Sequence, residues 1–146
     1  MRTLTADDVR DFLAQPLNAI LATHWQDGRV LLSPVWHEWR DGGFNVLINA
    51  GDVKDRQLRR DPHASIIVAE HGGLNRSVEV RGIARVSYAI PPDMPERITL
   101  RYLGPVQTPP YLESLAGVKM ALVRLEPGDF RAWDFAGDPH VSLRPT

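Results

Sequence analysis

Short apolar runs of strand type, separated by polar turn residues, dominate this chain. Ala19 to Trp25 (AILATHW) predicts a strand, and Gln26-Asp27-Gly28 after it is a hairpin signal. Arg29 to Arg40 predicts a second, long strand interrupted at Pro34. A proline gives the ladder no N–H, so this strand belongs at an edge or a bulge. Asp41-Gly42-Gly43 then turns the chain into Phe44 to Asn49. Further on, Arg76 to Ala89 predicts a long strand lined by Val78, Val80, Ile83 and Val86, with a bend at Gly82. Val118 to Leu125 and Arg131 to Phe135 complete the set.

Helical periodicity is confined to three places. Thr5 caps a short segment in which Val9, Phe12 and Leu13 share a face and which Pro16 ends. A basic segment runs from Lys54 to the Asp61-Pro62 break. Asp93 to Leu103 places Ile98 and Leu100 inward and leaves through Gly104-Pro105, after which Gln107 to Pro110 reads as loop. Six or seven strands, hairpin-linked early, with three short helices predict a mostly β, largely antiparallel barrel.

The segment Phe44 to Glu70 carries the chemistry. It reads as strand, tight turn at Asn49-Ala50-Gly51-Asp52, basic helix and returning strand from Ala64. Lys54 stands at the helix start, where backbone N–H groups lack intrahelical partners. A cation beside such donors suits a phosphate. The competing reading of Lys54 and Arg56 is a solvated charged face, since Asp52, Asp55 and Asp61 intersperse.

Composition narrows the classes. The 146 residues make one domain, with 1–136 as its body and 137–146 as a C-terminal tail. Without cysteine there are no disulfides, no thiolate catalysis and no zinc-thiolate site. His24, His37, His63, His71 and His140 show no ligand spacing, so no metal is expected. Acidic residues single out no catalytic pair, leaving the catalytic residues unassigned. A net charge of -1 gives no footprint for nucleic acid. No apolar run reaches membrane-span length and no secretory leader is visible, so the expected location is cytoplasmic.

Taken in order, AILAT (Ala19 to Thr23), DGRVLLSPVW (Asp27 to Trp36), KDRQLRRDPHAS (Lys54 to Ser65) and RSVEVRGIARV (Arg76 to Val86) resemble the pyridoxamine 5'-phosphate oxidase-like split-barrel flavoproteins. Within them the chain is most similar to the branch that binds the deazaflavin F420. The matching pattern is Lys54, Arg56, Leu58, Asp61 and Pro62, followed by Arg-Tyr-Leu-Gly at Arg101 to Gly104 and by Leu125, Pro127, Trp133 and Asp134. The resemblance implies a split β-barrel homodimer, with a cofactor at the subunit interface and hydride transfer to a small organic substrate. It departs from the true oxidases at Val53 and Ser77, where they carry arginine and glutamine, and it lacks their C-terminal substrate segment. Those departures point away from pyridoxamine phosphate as substrate.

The resemblance also assigns cofactor contacts. Ser33, Pro34, Val35 and Trp36 would lie beside the ring, with Ile48 and Asn49 at the ring and ribityl chain. Lys54 and Arg56 would hold the phosphate, and Arg76 and Ser77 would contact the cofactor from the later strand. Plain packing for Val35 and Trp36, a turn role for Asn49 and an interface role for Trp133 remain open beside these. Three functions follow: an F420-dependent oxidoreductase, an FMN-dependent relative, or a non-catalytic carrier of either cofactor.

Overall fold

The computed structural model describes residues 2–71 and 76–135. The sequence also predicts a turn at Gly72-Gly73, ahead of the Arg76 strand; it and the tail 137–146 lie outside the described residues. The elements run β1 (Arg2–Leu4), α1 (Arg10–Leu13), β2 (Ala19–His24), β3 (Val30–Val35), β4 (Glu38–Arg40), β5 (Gly43–Asn49) and α2 (Val53–Arg60). They continue with β6 (His63–Ala69), β7 (Arg76–Ile83), β8 (Arg85–Ser87), α3 (Met94–Ser114), β9 (Met120–Leu125) and β10 (Asp129–Asp134). The fold is mostly β, as expected. A six-stranded sheet has the order β1-β10-β7-β6-β2-β3, and a four-stranded sheet has the order β4-β5-β9-β8.

The two sheets share chain at their corners, which is what splits the barrel. The long strand expected over Arg29 to Arg40 is two strands in different sheets, β3 and β4. The break falls at Trp36-His37 rather than at Pro34. Pro34 stays inside β3, paired with Ile20, because β3 is the edge strand and needs no N–H there. The strand expected over Arg76 to Ala89 divides likewise into β7 and β8, interrupted at Ala84. Gly82 serves close approach instead of a bend: a Cβ there would stand 2.6 Å from the Glu126 carbonyl oxygen. The Asp41-Gly42 turn does form, both residues having positive φ.

Valine, leucine and isoleucine from both sheets meet inside, with Leu21, Val46, Ile66, Val80, Val123 and Leu125 fully buried. Phe12 and Leu13 of α1 close one end of this core. β1 was not expected; three residues are too few to show a period.

The largest departure is α3. Residues 107–110, expected as loop, are helical, and the element runs on to Ser114. Gly104 (φ 76°, ψ 177°) breaks it into two arms. Pro105 then suits the first turn of the second arm, where no N–H is needed. Ile98 is buried as expected, but Leu100 is 38% exposed because the first arm sits on the barrel by its opposite face.

A buried ion-pair network fixes the first arm. Glu38, 5% exposed, receives two bonds from the Arg97 guanidinium (2.7 and 2.8 Å) and one from Asn45 Nδ2 (2.9 Å). Burial pushes its carboxyl pKa up, but those donors outweigh it and hold the pKa below the ordinary value. The Arg101 guanidinium caps the carbonyls of Leu13, Gln15 and His37.

Candidate functional site: a groove between the sheets and the broken helix

Where β3 and β4 part, the surface opens into a groove of about 450 Å³. One wall is apolar: Pro34, Val35, Trp36, Leu47, Ile48 and Met120. The other end is polar, with Asn18, Asn49, Asp52 and Lys54. Tyr111 of the second arm of α3 and Leu115, the residue that caps it, cover it.

The polar end is built by the start of α2. Asp52 caps the helix, its side chain accepting the Asp55 N–H at 3.0 Å. Asp55 is nearly fully buried and ties the preceding turn down. It accepts the Gly51 N–H at 2.6 Å and the Tyr88 hydroxyl at 2.8 Å, with Arg59 at 3.3 Å. Burial pushes its pKa up, but these partners prevail and keep it below the ordinary carboxylate value. The N–H groups of Val53 and Lys54 are left without intrahelical partners by helix geometry. Lys54 Nζ lies 3.0 Å from Asp52 Oδ2. An incoming anion therefore meets a lysine already paired with an acid.

The apolar wall is held from behind. The Trp36 indole stacks on the Tyr102 ring at 4.9 Å and 7°, and Tyr111 tilts against it at 5.4 Å. The Tyr102 hydroxyl accepts the His37 N–H at 2.9 Å and donates to the Leu17 carbonyl at 3.0 Å. The Arg-Tyr-Leu-Gly segment is thus a clamp: Arg101 joins three carbonyls, Tyr102 backs Trp36 and Gly104 turns the helix. His37 itself is fully buried, and neither ring nitrogen has a partner among the described residues. Burial first, and the Arg101 charge second, push its pKa down to about 4.

Six of the ten residues expected at a cofactor meet in this groove: Pro34, Val35, Trp36, Ile48, Asn49 and Lys54. Ser33 lies next to it on β3, paired with Leu21. Arg56 faces a separate hollow with Trp25, Val53, Gln57 and Arg60. Arg76 and Ser77 lie on β7, three strands across the sheet from β3. There Arg76 is engaged by Glu70 at 2.6 Å and Asp11 at 3.0 Å, while Ser77 pairs with Ala69 and Trp133. The reading of the sequence missed Asn18, Leu47, Asp52, Tyr111, Leu115 and Met120. A signal for the second arm existed: Thr108, Tyr111, Leu112 and Leu115 keep the i, i+3, i+4, i+7 spacing beneath the prolines.

Among the described residues no group of three or more acidic or histidine side chains is placed to hold a metal ion. No described helix is long and apolar enough to cross a membrane.

The sequence profile described as pyridoxamine 5'-phosphate oxidase matches residues 5–127. The chain belongs to that family. It is thereby one of the split-barrel flavoproteins, a superfamily of flavin-binding proteins that includes oxidoreductases. No curated protein sequence matches the chain. Among solved structures it is similar to a conserved hypothetical protein of Mycobacterium tuberculosis, with a TM-score of 0.77 and 26% identity over 98% of this chain and 94% of that one. An F420 reductase matches with a TM-score of 0.65 and 24% identity over 83% and 94% of the two chains. A FAD-binding protein of Mesorhizobium loti matches with a TM-score of 0.65 and 21% identity over 90% and 93%. At that identity the last two likenesses are of fold.

Proposed function

We propose that the groove holds F420 and that the protein is an F420-dependent oxidoreductase acting on a small organic molecule. The observation that carries this is the pairing of Lys54 and the open start of α2 with an adjoining wall of Pro34, Val35 and Trp36. Flat apolar surface beside a phosphate-ready end suits a ring joined to a phosphorylated chain. The family's flavin chemistry and the fold it shares with an F420 reductase support the reading.

When bound, the cofactor supplies the hydride chemistry. The chain's own residues would bind and orient. Lys54 and the Val53 and Lys54 N–H groups would hold the phosphate, with Asp52 displaced from the lysine. Trp36, fixed by Tyr102, would set the plane of the ring. Ile48 and Asn49 would meet the ring edge and the ribityl chain. Tyr111 and Leu115 would keep water out. Arg56, Arg76 and Ser77 lie away from the groove, so a role for them at the cofactor requires a second copy of the chain. Val30 and Leu32, 51% and 65% exposed on the edge strand β3, offer apolar surface for such a homodimer.

The test is a fluorescence titration with F420 and, separately, with FMN. F420 should bind more tightly than FMN, and Lys54→Ala should weaken it at least about tenfold, the value of a lost charge-assisted contact. Preference for FMN would move the assignment to flavin chemistry. Unchanged affinity in Lys54→Ala would remove Lys54 from the site. Tight binding without oxidation of reduced F420 by any small-molecule acceptor would leave a carrier.

A further inference from the structure

A second cavity of about 370 Å³ adjoins the groove, between the two arms of α3 and the β5–β9 surface. It shares Trp36, Leu47, Tyr111, Leu115 and Met120 with the groove, so the two compartments meet across one apolar wall. Beyond that wall its lining differs in kind. Pro92, Pro95, Ile98, Leu112 and Val118 make it apolar. Its buried hydroxyl is that of Thr99, Tyr111 being partly exposed, and among the described residues its sole charged lining residue is the exposed Glu96. The groove has a lysine; among the described residues neither lysine nor arginine lines this chamber.

We propose that this chamber is the substrate compartment and that it takes an uncharged, planar, apolar molecule carrying a hydrogen-bonding group for Thr99. The assignment rests on the groove being the cofactor site. Three observations make it specific. The volume falls in the range of small-ligand cavities. Flat faces, from the Trp36 and Tyr111 rings and two prolines, favour a flat occupant. Burying a carboxylate or phosphate there would leave it without a counter-charge and beside Glu96, a strongly unfavourable arrangement. Division of labour follows: the anionic part of the reaction partners belongs to Lys54, and the uncharged part to the space under α3.

Isothermal titration with 1-naphthol and 1-naphthoate tests this without turnover. Naphthol should bind, and naphthoate at least about tenfold more weakly. Leu112 lines the chamber but not the groove. Leu112→Trp should therefore weaken naphthol at least about tenfold while leaving F420 affinity unchanged. Glu96→Lys, at an exposed position, should bring naphthoate to within about threefold of naphthol. Equal binding of the two probes, no saturable naphthol binding, or naphthol affinity indifferent to Leu112→Trp would overturn the proposal. Failure of the cofactor reading would look different: wild-type protein without F420 affinity but with naphthol binding that Leu112→Trp still abolishes.

Discussion

Replacing His37 by leucine should make the protein more resistant to acid. The imidazole is 0% exposed, edge-on to Phe44 at 5.3 Å, and both nitrogens lack partners among the described residues. Its pKa falls from the ordinary 6.5 to about 4. The sign follows from proton linkage. Below pH 6.5 the unfolded chain binds a proton at this site and the folded chain does not until about pH 4. Stability present above pH 6.5 is therefore lost progressively down to about pH 4 and is flat below. The full interval corresponds to about 3 kcal/mol, and the part between pH 7 and pH 4.5 to about 2 kcal/mol. Leucine fills similar volume and cannot titrate. At pH 7 the variant should be at least as stable as wild type, since it also removes two buried polar atoms that lack hydrogen bonds. Urea denaturation at pH 7 and pH 4.5 measures both. Carboxylates such as Glu38 and Asp55, held below their ordinary values, lose stability with falling pH in both proteins and cancel in the comparison. Wild type should lose about 2 kcal/mol more than His37→Leu over that interval. Equal losses in the two proteins would refute the reasoning.

Asp52→Asn keeps a helix-capping acceptor but removes the acid 3.0 Å from Lys54, so it should leave stability nearly unchanged and tighten F420 roughly threefold or more. A weaker or equal F420 titration would mean that the phosphate does not approach Lys54. Tyr102→Phe removes the hydroxyl between the His37 N–H and the Leu17 carbonyl and should cost about 1–3 kcal/mol in urea denaturation. Because the ring stacked on Trp36 remains, F420 affinity should hold in that variant, whereas Tyr102→Leu should weaken it. Equal F420 affinity in the two variants would show that Trp36 does not depend on its backing.

The strands and the start of α2 were legible because each rests on local chemistry. Asp41-Gly42 supplies positive φ where the hairpin needs it, and the acid-rich start of α2 presents Lys54 at its first turn whatever surrounds it. Ile48, Asn49 and Lys54 converge because strand, turn and helix follow one another directly in that segment, and Pro34, Val35 and Trp36 join them from the end of β3. The break at Trp36-His37 was not legible. Nothing in its dipeptide marks a corner, and the chain turns there because the next strand pairs with β5 in the other sheet. Gly82 shows the same limit: its reason is a carbonyl more than forty residues away.

The second arm of α3 escaped for a different reason, and that reason bears on function. Pro105, Pro109 and Pro110 argue for loop in isolation, since Pro109 and Pro110 withhold the N–H groups that a regular helix would direct at the carbonyls of Pro105 and Val106. The helix forms nonetheless, with the buried Thr108 hydroxyl donating to the Gly104 carbonyl at 2.7 Å and Tyr111 resting on Trp36. Tyr111 and the C-cap Leu115 line both cavities and Leu112 the chamber alone, whereas the first arm is bound to the barrel by the Arg97–Glu38 pair and the Arg101 clamp. Changes at Leu112, which lines the chamber and not the groove, therefore alter the shape of the chamber without disturbing Lys54 or the ion pairs that hold the barrel and helix together. On the proposed assignment of groove and chamber, a fold with its binding end fixed by hydrogen bonds and its cover held by replaceable apolar contacts would change substrate while keeping its cofactor.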